Sequence, residues 1–306
     1  MTRDLTSRQE RALPARSDAG QNRLRDPDRL WSDWKILAGQ HPHLHAPQAA
    51  ALMDVPEAAL VAARIGSGAV QLSADIASLL SPISGWGRVL WAGSNAAGVV
   101  MPLGHATIRR DMQCLTVSSN GFVGQIDPET VRYAYLFENH DDNHGHSKSL
   151  QFFDAAGAAI LKVFIFHKTR FNTAKDHFLA FTSASQAQTF SPSCPETSAF
   201  DAERGSTRTD PDEASLTGDV RAVVAAELSH GGTVELEHIS ECARIVWTGQ
   251  PVTPRFDDTM FHFHQADLRA HLRYEPITRM TRTVSGALAL TARNGRLLKI
   301  SRKAAT

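Results

Sequence analysis

A chain of 306 residues has room for about two domains of ~100–200 residues each. Hydrophobic residues make up 42% and charged residues 21%, and no run approaches the ~18 consecutive apolar residues of a membrane span. Lys plus Arg and Asp plus Glu stand at 32 each, so no bulk basic field draws nucleic acid or anionic lipid, and any anion site is local. The expectation is a protein with no nucleic-acid partner and no membrane insertion.

Residues 1–27 alternate charged and small polar groups without the apolar stretch of a secretory signal, and read as a disordered tail. Cys114, Cys194 and Cys242 are odd in number, widely spaced and without a CxxC pair, which suits reduced thiols. On both features the expectation is a cytoplasmic protein. From Leu30 the pattern turns helical: Leu30, Trp34 and Leu37 recur at three- and four-residue spacing. Helical stretches follow over 49–53, over 57–64 after Pro56, and over 74–80. Beyond Arg88 the texture becomes that of strands, over 89–91, 99–101, 114–117, 121–126, 131–137, 149–153 and 160–166, separated by Gly, Asn, Asp and Pro. Residues 154–159 read as a hairpin turn, with Gly157 free to take positive φ, and Asn294-Gly295 gives a second turn signal. The stretch 183–217 has linker composition, after which a helix over 219–228 and strands from Val234 begin the pattern again.

The chain also echoes itself. Arg88-Val89-Leu90-Trp91-Ala92-Gly93 returns as Arg244-Ile245-Val246-Trp247-Thr248-Gly249, and 131–138 returns as 268–275. Ile160-Leu161-Lys162-Val163 returns as Leu297-Leu298-Lys299-Ile300. A period this long is not that of a solenoid, whose units run ~20–50 residues. The reading is a tail over 1–27, a first repeat over 28–182, a linker over 183–217 and a shortened second repeat over 218–306. Each repeat is a helical lead-in followed by an antiparallel sheet, which gives an α+β protein.

Several residues carry a family resemblance. They are Trp34 and Leu37, Ala50 to Val55, Glu57-Ala58, Leu60 to Arg64, Asn95 and Leu103-Gly104. The most specific stretch is Ser149-Leu150-Gln151-Phe152-Phe153-Asp154 with Gly157 and Leu161-Lys162-Val163. On these the chain resembles the HemS/ChuX family of bacterial haem-utilisation proteins. The resemblance implies two repeats forming two sheets that face a central cleft, with haem as ligand or substrate. It implies haem uptake, storage or delivery, with a haem transporter or haem oxygenase as partner. Haem degradation with an external electron donor is the enzyme alternative, and a scaffold that has lost haem ligation is the third.

Haem asks for an apolar slot, cations for two propionates and usually a His, Tyr, Cys or Met for iron. In a strand over Phe261-His262-Phe263-His264 the two rings share one face and the two imidazoles the other. The family's axial His lies in an Asp-Val-His motif that Asp219-Val220-Arg221 matches, which puts Arg at the ligand position. In short relatives a His follows a Gly-x-x-Gly strand, where the first repeat has Gln125 and the second, with a residue of slippage, offers His262 or His264. His264 is the expected iron ligand, with His262 and His105 behind it. Phe261 and Phe263 are expected against the macrocycle, and Arg109, Arg132, Arg269 and Arg273 supply cations, Arg110 standing beside them. The His- and Asp-rich run 139–146 reads as a turn rather than a metal site, and Cys194-Pro195 as a weak haem motif. No Gly-x-Ser-x-Gly, His-Glu-x-x-His, P-loop or Rossmann pattern is present, and no residue is assigned catalysis.

Overall fold

A computed structural model describes residues 16–193 and 213–303, except 42–43, 45, 96–97, 112–113, 142–144, 167, 230–231, 241, 251–253 and 293–294. The chain divides into two compact units, each discontinuous in sequence: residues 1–82 with 128–198, and residues 83–127 with 199–306. Among the described residues no helix is long and apolar enough to cross a membrane.

The first unit opens with helices. α1 (Asp18–Arg25) lies inside the stretch expected as a disordered tail, and its ends explain why it is ordered. Ser17 caps it by accepting from the Gly20 amide, and Arg23 donates to the Met53 carbonyl and pairs with Asp33. α2 (Pro27–Gln40), α3 (Ala46–Leu52) and α4 (Glu57–Ala62) follow. Asp26 caps α2, with Pro27 at its first position, where a missing N–H costs nothing. α4 is buried on every face, since Ala and Val at its surface let Tyr135, Phe153 and Phe190 pack closely. Strands β1 (Ala69–Leu72), β7 (Tyr133–Asp141), β8 (Gly145–Phe153) and β9 (Ala159–Ile165) pair antiparallel in the order β1-β7-β8-β9. The turn between β8 and β9 is the expected one: Gly157 has φ +83° and Asp154 accepts from the Ala158 amide at 2.8 Å. The unit also holds α5 (Ile76–Leu80) and α6 (Lys168–Leu179), the latter not foreseen in the sequence.

The second unit contains β2 (Arg88–Asn95), β3 (Gly98–His105), β4 (Thr107–Arg110), β5 (Leu115–Ser119) and β6 (Phe122–Ile126) from the first half of the chain. From the second half come β10 (Ala214–Leu216), helix α7 (Val220–Leu228), β11 (Thr233–Ile239), β12 (Ala243–Gly249), β13 (Arg255–Phe256) and β14 (Met260–His264). β15 (Leu268–Arg273), β16 (Arg279–Arg282), β17 (Leu288–Ala292) and β18 (Gly295–Lys303) complete it. Its strands run in two orders, β2-β3-β15-β14-β13 and β10-β16-β17-β18-β11-β12-β6-β5-β4. All pairs are antiparallel, and the protein is α+β with two large antiparallel sheets.

These orders reveal an exchange. The late hairpin β14-β15 pairs onto the early strand β3, and the early hairpin β5-β6 pairs onto the late strand β12. Topologically, therefore, β2 corresponds to β11, β3 to β12, β5-β6 to β14-β15 and β9 to β18. Two of the three sequence echoes are thereby corrected. Trp91 stands on β2 and Trp247 on β12, which are not equivalent strands, and 131–138 and 268–275 fall on β7 and β15, which are not equivalent either. Their likeness comes from burial demand: Trp91 and Trp247 are 1% and 2% exposed. Only the third echo, on β9 and β18, joins equivalent strands.

That third echo has a physical cause. Lys162 on β9 pairs with buried Glu57 of α4, and Lys299 on β18 reaches the buried Glu237 of β11 at 3.6 Å, where Arg244 also binds at 2.6 Å. Each lysine neutralises a carboxylate that burial would otherwise make costly. Lys162→Met should destabilise the protein by about 3–5 kcal/mol in urea unfolding, because Glu57 stays behind unpaired. The double variant Glu57→Leu/Lys162→Met should recover most of that loss, and a double variant no more stable than the single one would show that charge neutralisation is not what the pair contributes.

Candidate functional site

The hairpin of β14 and β15 places the histidines. Cross-strand partners are Phe261 with Leu272, His262 with His271, Phe263 with Ala270 and His264 with Arg269. Directly opposed residues project to the same side of a sheet, so His262, His264, Arg269, His271 and Arg273 share one face. Phe261, Phe263, Leu268, Ala270 and Leu272 take the other, at 3% exposure or less. The alternation expected from Phe-His-Phe-His is therefore correct, but the role given to the two phenylalanines is not. Phe261 packs on Phe263 at 5.4 Å and on Tyr274 at 5.8 Å between ring centroids, so both rings are core and offer nothing to a ligand on the histidine side.

β3 extends the histidine face. Val99 is opposite His271 and Met101 opposite Arg269, and with Leu103 they form a half-buried apolar strip beside the imidazoles. On the reverse side, Trp91 meets Phe122 at 6.0 Å. A Cβ on Gly93 would come within 2.3 Å of the Ile245 side chain, so any larger residue would force that side chain to move.

One imidazole of this face, His271, is not among the expected iron ligands. Matching the cross-strand pairs of β5-β6 with those of β14-β15 sets Thr116–Gln125 against His262–His271. The second-half counterpart of Gln125 is thus His271, with no slippage. Its signal was present in the chain but needed the hairpin register to be read. His262, His264 and His271 each offer a ring nitrogen, all within 4.8 Å of one another. His262 Nδ1 lies 2.7 Å from His271 Nδ1, and His262 Nε2 lies 2.9 Å from Asp257 Oδ2. Asp257 is held well below the usual carboxylate range by the His262 hydrogen bond first, then by the Thr259 and Met260 amides, and so is a fixed anion. Desolvation, with Arg269, His262 and Arg255 nearby, lowers the pKa of His264, which favours a neutral ring with a free lone pair.

The other expected residues come from several elements. His105 is exposed at the end of β3, Arg109 is exposed on β4 in the other strand run, and Arg132 is exposed in the first unit. Arg273 pairs with Glu275 at 3.0 Å. Arg221 follows the Asp219 cap of α7, donates to the Asp258 carbonyl at 2.9 Å and lies 4.9 Å over the Tyr274 ring. The side chains of the 139–146 cluster and the Cys194-Pro195 pair lie outside the described residues. A separate hollow of about 210 Å³ is lined by Glu227, Arg282, Ser285, Gly286 and Arg302. There the carboxylate of Glu227 is already satisfied by Arg282 at 2.6 Å and Arg302 at 2.9 Å.

The architecture defines a class: an α+β protein whose two large antiparallel sheets repeat one strand order, with an imidazole-bearing hairpin on one of them. The profile of the haemin-degrading HemS.ChuX domain matches residues 54–182. This match covers less than half of the chain, and over it the chain is similar to that domain. The hemin transport protein HmuS of Yersinia pestis is 30% identical over 149 residues, which is 46% of this chain and 41% of HmuS, so the match spans less than half of that relative. Apo-PhuS, a heme-binding protein from Pseudomonas aeruginosa, shares the fold with a TM-score of 0.76 at 18% identity, over 92% of this chain and 94% of that one. ChuS, a heme degrading enzyme of Escherichia coli O157:H7, gives 0.76 at 17% identity, over 91% and 94%.

A further histidine, His238 on β11, is 1% exposed, and its Nε2 has no hydrogen-bond partner. By strand pairing its counterpart is Gly93, and its ring sits by the space that glycine leaves. Desolvation lowers its pKa to about 4 from 6.5, against an opposing hydrogen bond with the Gly98 backbone. Between those values the unfolded chain binds a proton that the native state refuses. Stability should therefore fall as pH drops from about 6.5 through about 4, by on the order of 3 kcal/mol, with no contribution above that window. Denaturant unfolding of His238→Gln should show a flatter slope than the parent across this range; parallel profiles would remove His238 as the cause.

Proposed function

We propose that this protein binds haem or a related tetrapyrrole in the cytoplasm and serves its uptake, storage or delivery, with a haem transporter or haem oxygenase as the partner class. One observation carries the reading. A single sheet face of the second unit brings imidazole donors, a half-buried apolar strip of Val99, Met101 and Leu103, and the guanidinium of Arg269 together, which are the three things an iron porphyrin needs. The relatives named above for hemin transport and heme binding support it.

His264 is the axial donor in this reading. It is the exposed member of the trio, and its surroundings keep the ring neutral. Arg269, its cross-strand partner, supplies a fork suited to a propionate. Haem degradation is the second reading, favoured by the haemin-degrading description of the matching domain. There the chain's own part would be to hold the macrocycle and control access to its iron, while haem and oxygen supply the chemistry.

Titration of purified protein with hemin should give a saturable, stoichiometric shift of the Soret band, and no saturable change would overturn the reading. Bleaching on addition of ascorbate would select the degrading alternative over carriage. His264→Ala should change the ligand-field spectrum and speed haem loss; an unchanged spectrum would exclude it as axial donor. Arg269→Ala should weaken affinity about tenfold, the worth of one charge-assisted pair at an exposed site, with the iron spectrum preserved. Equal affinity would exclude its propionate role.

A further inference from the structure

We propose that His262, His264 and His271 also form a direct binding site for a divalent transition-metal ion of the zinc class, without any porphyrin. Three neutral imidazoles are a donor set for Zn²⁺, Co²⁺ or Fe²⁺ and a poor one for Mg²⁺ or Ca²⁺. Three ring nitrogens lie within 4.8 Å of one another on adjacent strands, which hold them more firmly than loops would. Asp257 turns His262 for the task. It takes His262 Nε2–H, which leaves the Nδ1 lone pair pointing at His271.

In the metal-free protein two Nδ1 atoms face each other at 2.7 Å, so one must carry a proton, and with His262 protonated at Nε2 the donor is His271. Around a tetrahedral ion with metal–nitrogen bonds of about 2.0–2.1 Å, two such atoms stand about 3.3 Å apart. A shift of about half an ångström therefore opens the pair, and the proton of His271 moves to Nε2 with no net release. His264, exposed at the rim, swings in as the third ligand. The fourth position faces solvent, and Arg269 across from His264, with Arg255 nearby, favours water or a small anion there. The open position is that of a three-histidine site able to bind an exogenous group rather than a closed structural one.

The site is built from the same face as the haem reading and shares His264 with it, yet it is tested apart from it. The untagged, haem-free chain is titrated with Co²⁺ and followed by visible absorption, then with Zn²⁺ as competitor. One Co²⁺ per chain should bind with the intense d–d bands of low coordination and be displaced by Zn²⁺. His262→Ala and His271→Ala should each lower affinity a hundredfold or more, and Asp257→Asn by roughly tenfold through loss of its hold on His262. Circular dichroism and thermal melting of each variant report whether it is folded, and Asp257→Asn, at an exposed turn, guards against misfolding of the others. Absence of a saturable band, or binding that survives both His262→Ala and His271→Ala, overturns the proposal. A chain that shifts the Soret band but takes no Co²⁺ loses only this inference; one that takes Co²⁺ but no hemin loses only the haem reading.

Discussion

The register of the β14-β15 hairpin is the constraint on which the site depends. With His262 opposite His271, every apolar side chain of the pair turns inward and every imidazole outward. A slip of one residue would reverse both sets, leaving Phe261 and Phe263 in solvent and three imidazoles in the core. Burial of each such ring is worth roughly 1.5–3 kcal/mol, so the core chooses the register and the site follows from it. The turn reinforces that choice. Asp257 accepts from the Thr259 and Met260 amides at 2.7 Å each, and the Tyr274 hydroxyl donates to the Met260 carbonyl at 2.7 Å. The residue that fixes the start of β14 is thus the one that orients His262.

Strand exchange gives the hairpin its apolar neighbour. β15 pairs with β3, so Val99 and Met101, from the first half of the chain, lie beside His271 and Arg269 from the second. Its counterpart hairpin β5-β6 pairs with β12 in the same way but carries Thr116, Ser118 and Gln125 where the second has His262, His264 and His271. The backbone is doubled and the chemistry is not. Departure from symmetry also occurs in the interior, where Gly93 on β2 corresponds to the buried His238 on β11.

What the sequence revealed followed the range of the interactions involved. Alternation along 261–264, the Gly157 turn and the opening helices depend on neighbours a few residues apart, and the structure has them where the pattern put them. Relations between distant strands were not legible. The echo of Trp91 in Trp247 records two similar burial demands rather than common position, because a buried β-strand selects the same few residue types wherever it lies. His271 was passed over as a ligand for the same reason: its partner across the hairpin is nine residues away and its strip neighbour Val99 lies in the other half of the chain. The phenylalanines were misassigned because a strand pattern states that two faces differ, without saying which of them meets the second sheet.

Arg221 shows how the family position and the histidine face are joined. A guanidinium cannot give a lone pair to iron, so if 219–221 is the family motif, the donor has to come from elsewhere. Its actual contacts are with the Asp258 carbonyl and the Tyr274 ring, at the two ends of the β14-β15 hairpin. The neighbouring Asp257 holds His262. The end of α7 therefore clamps the turn that aims the imidazoles instead of presenting one itself. Arg221 and the histidine trio are thus linked through two consecutive residues, Asp257 and Asp258.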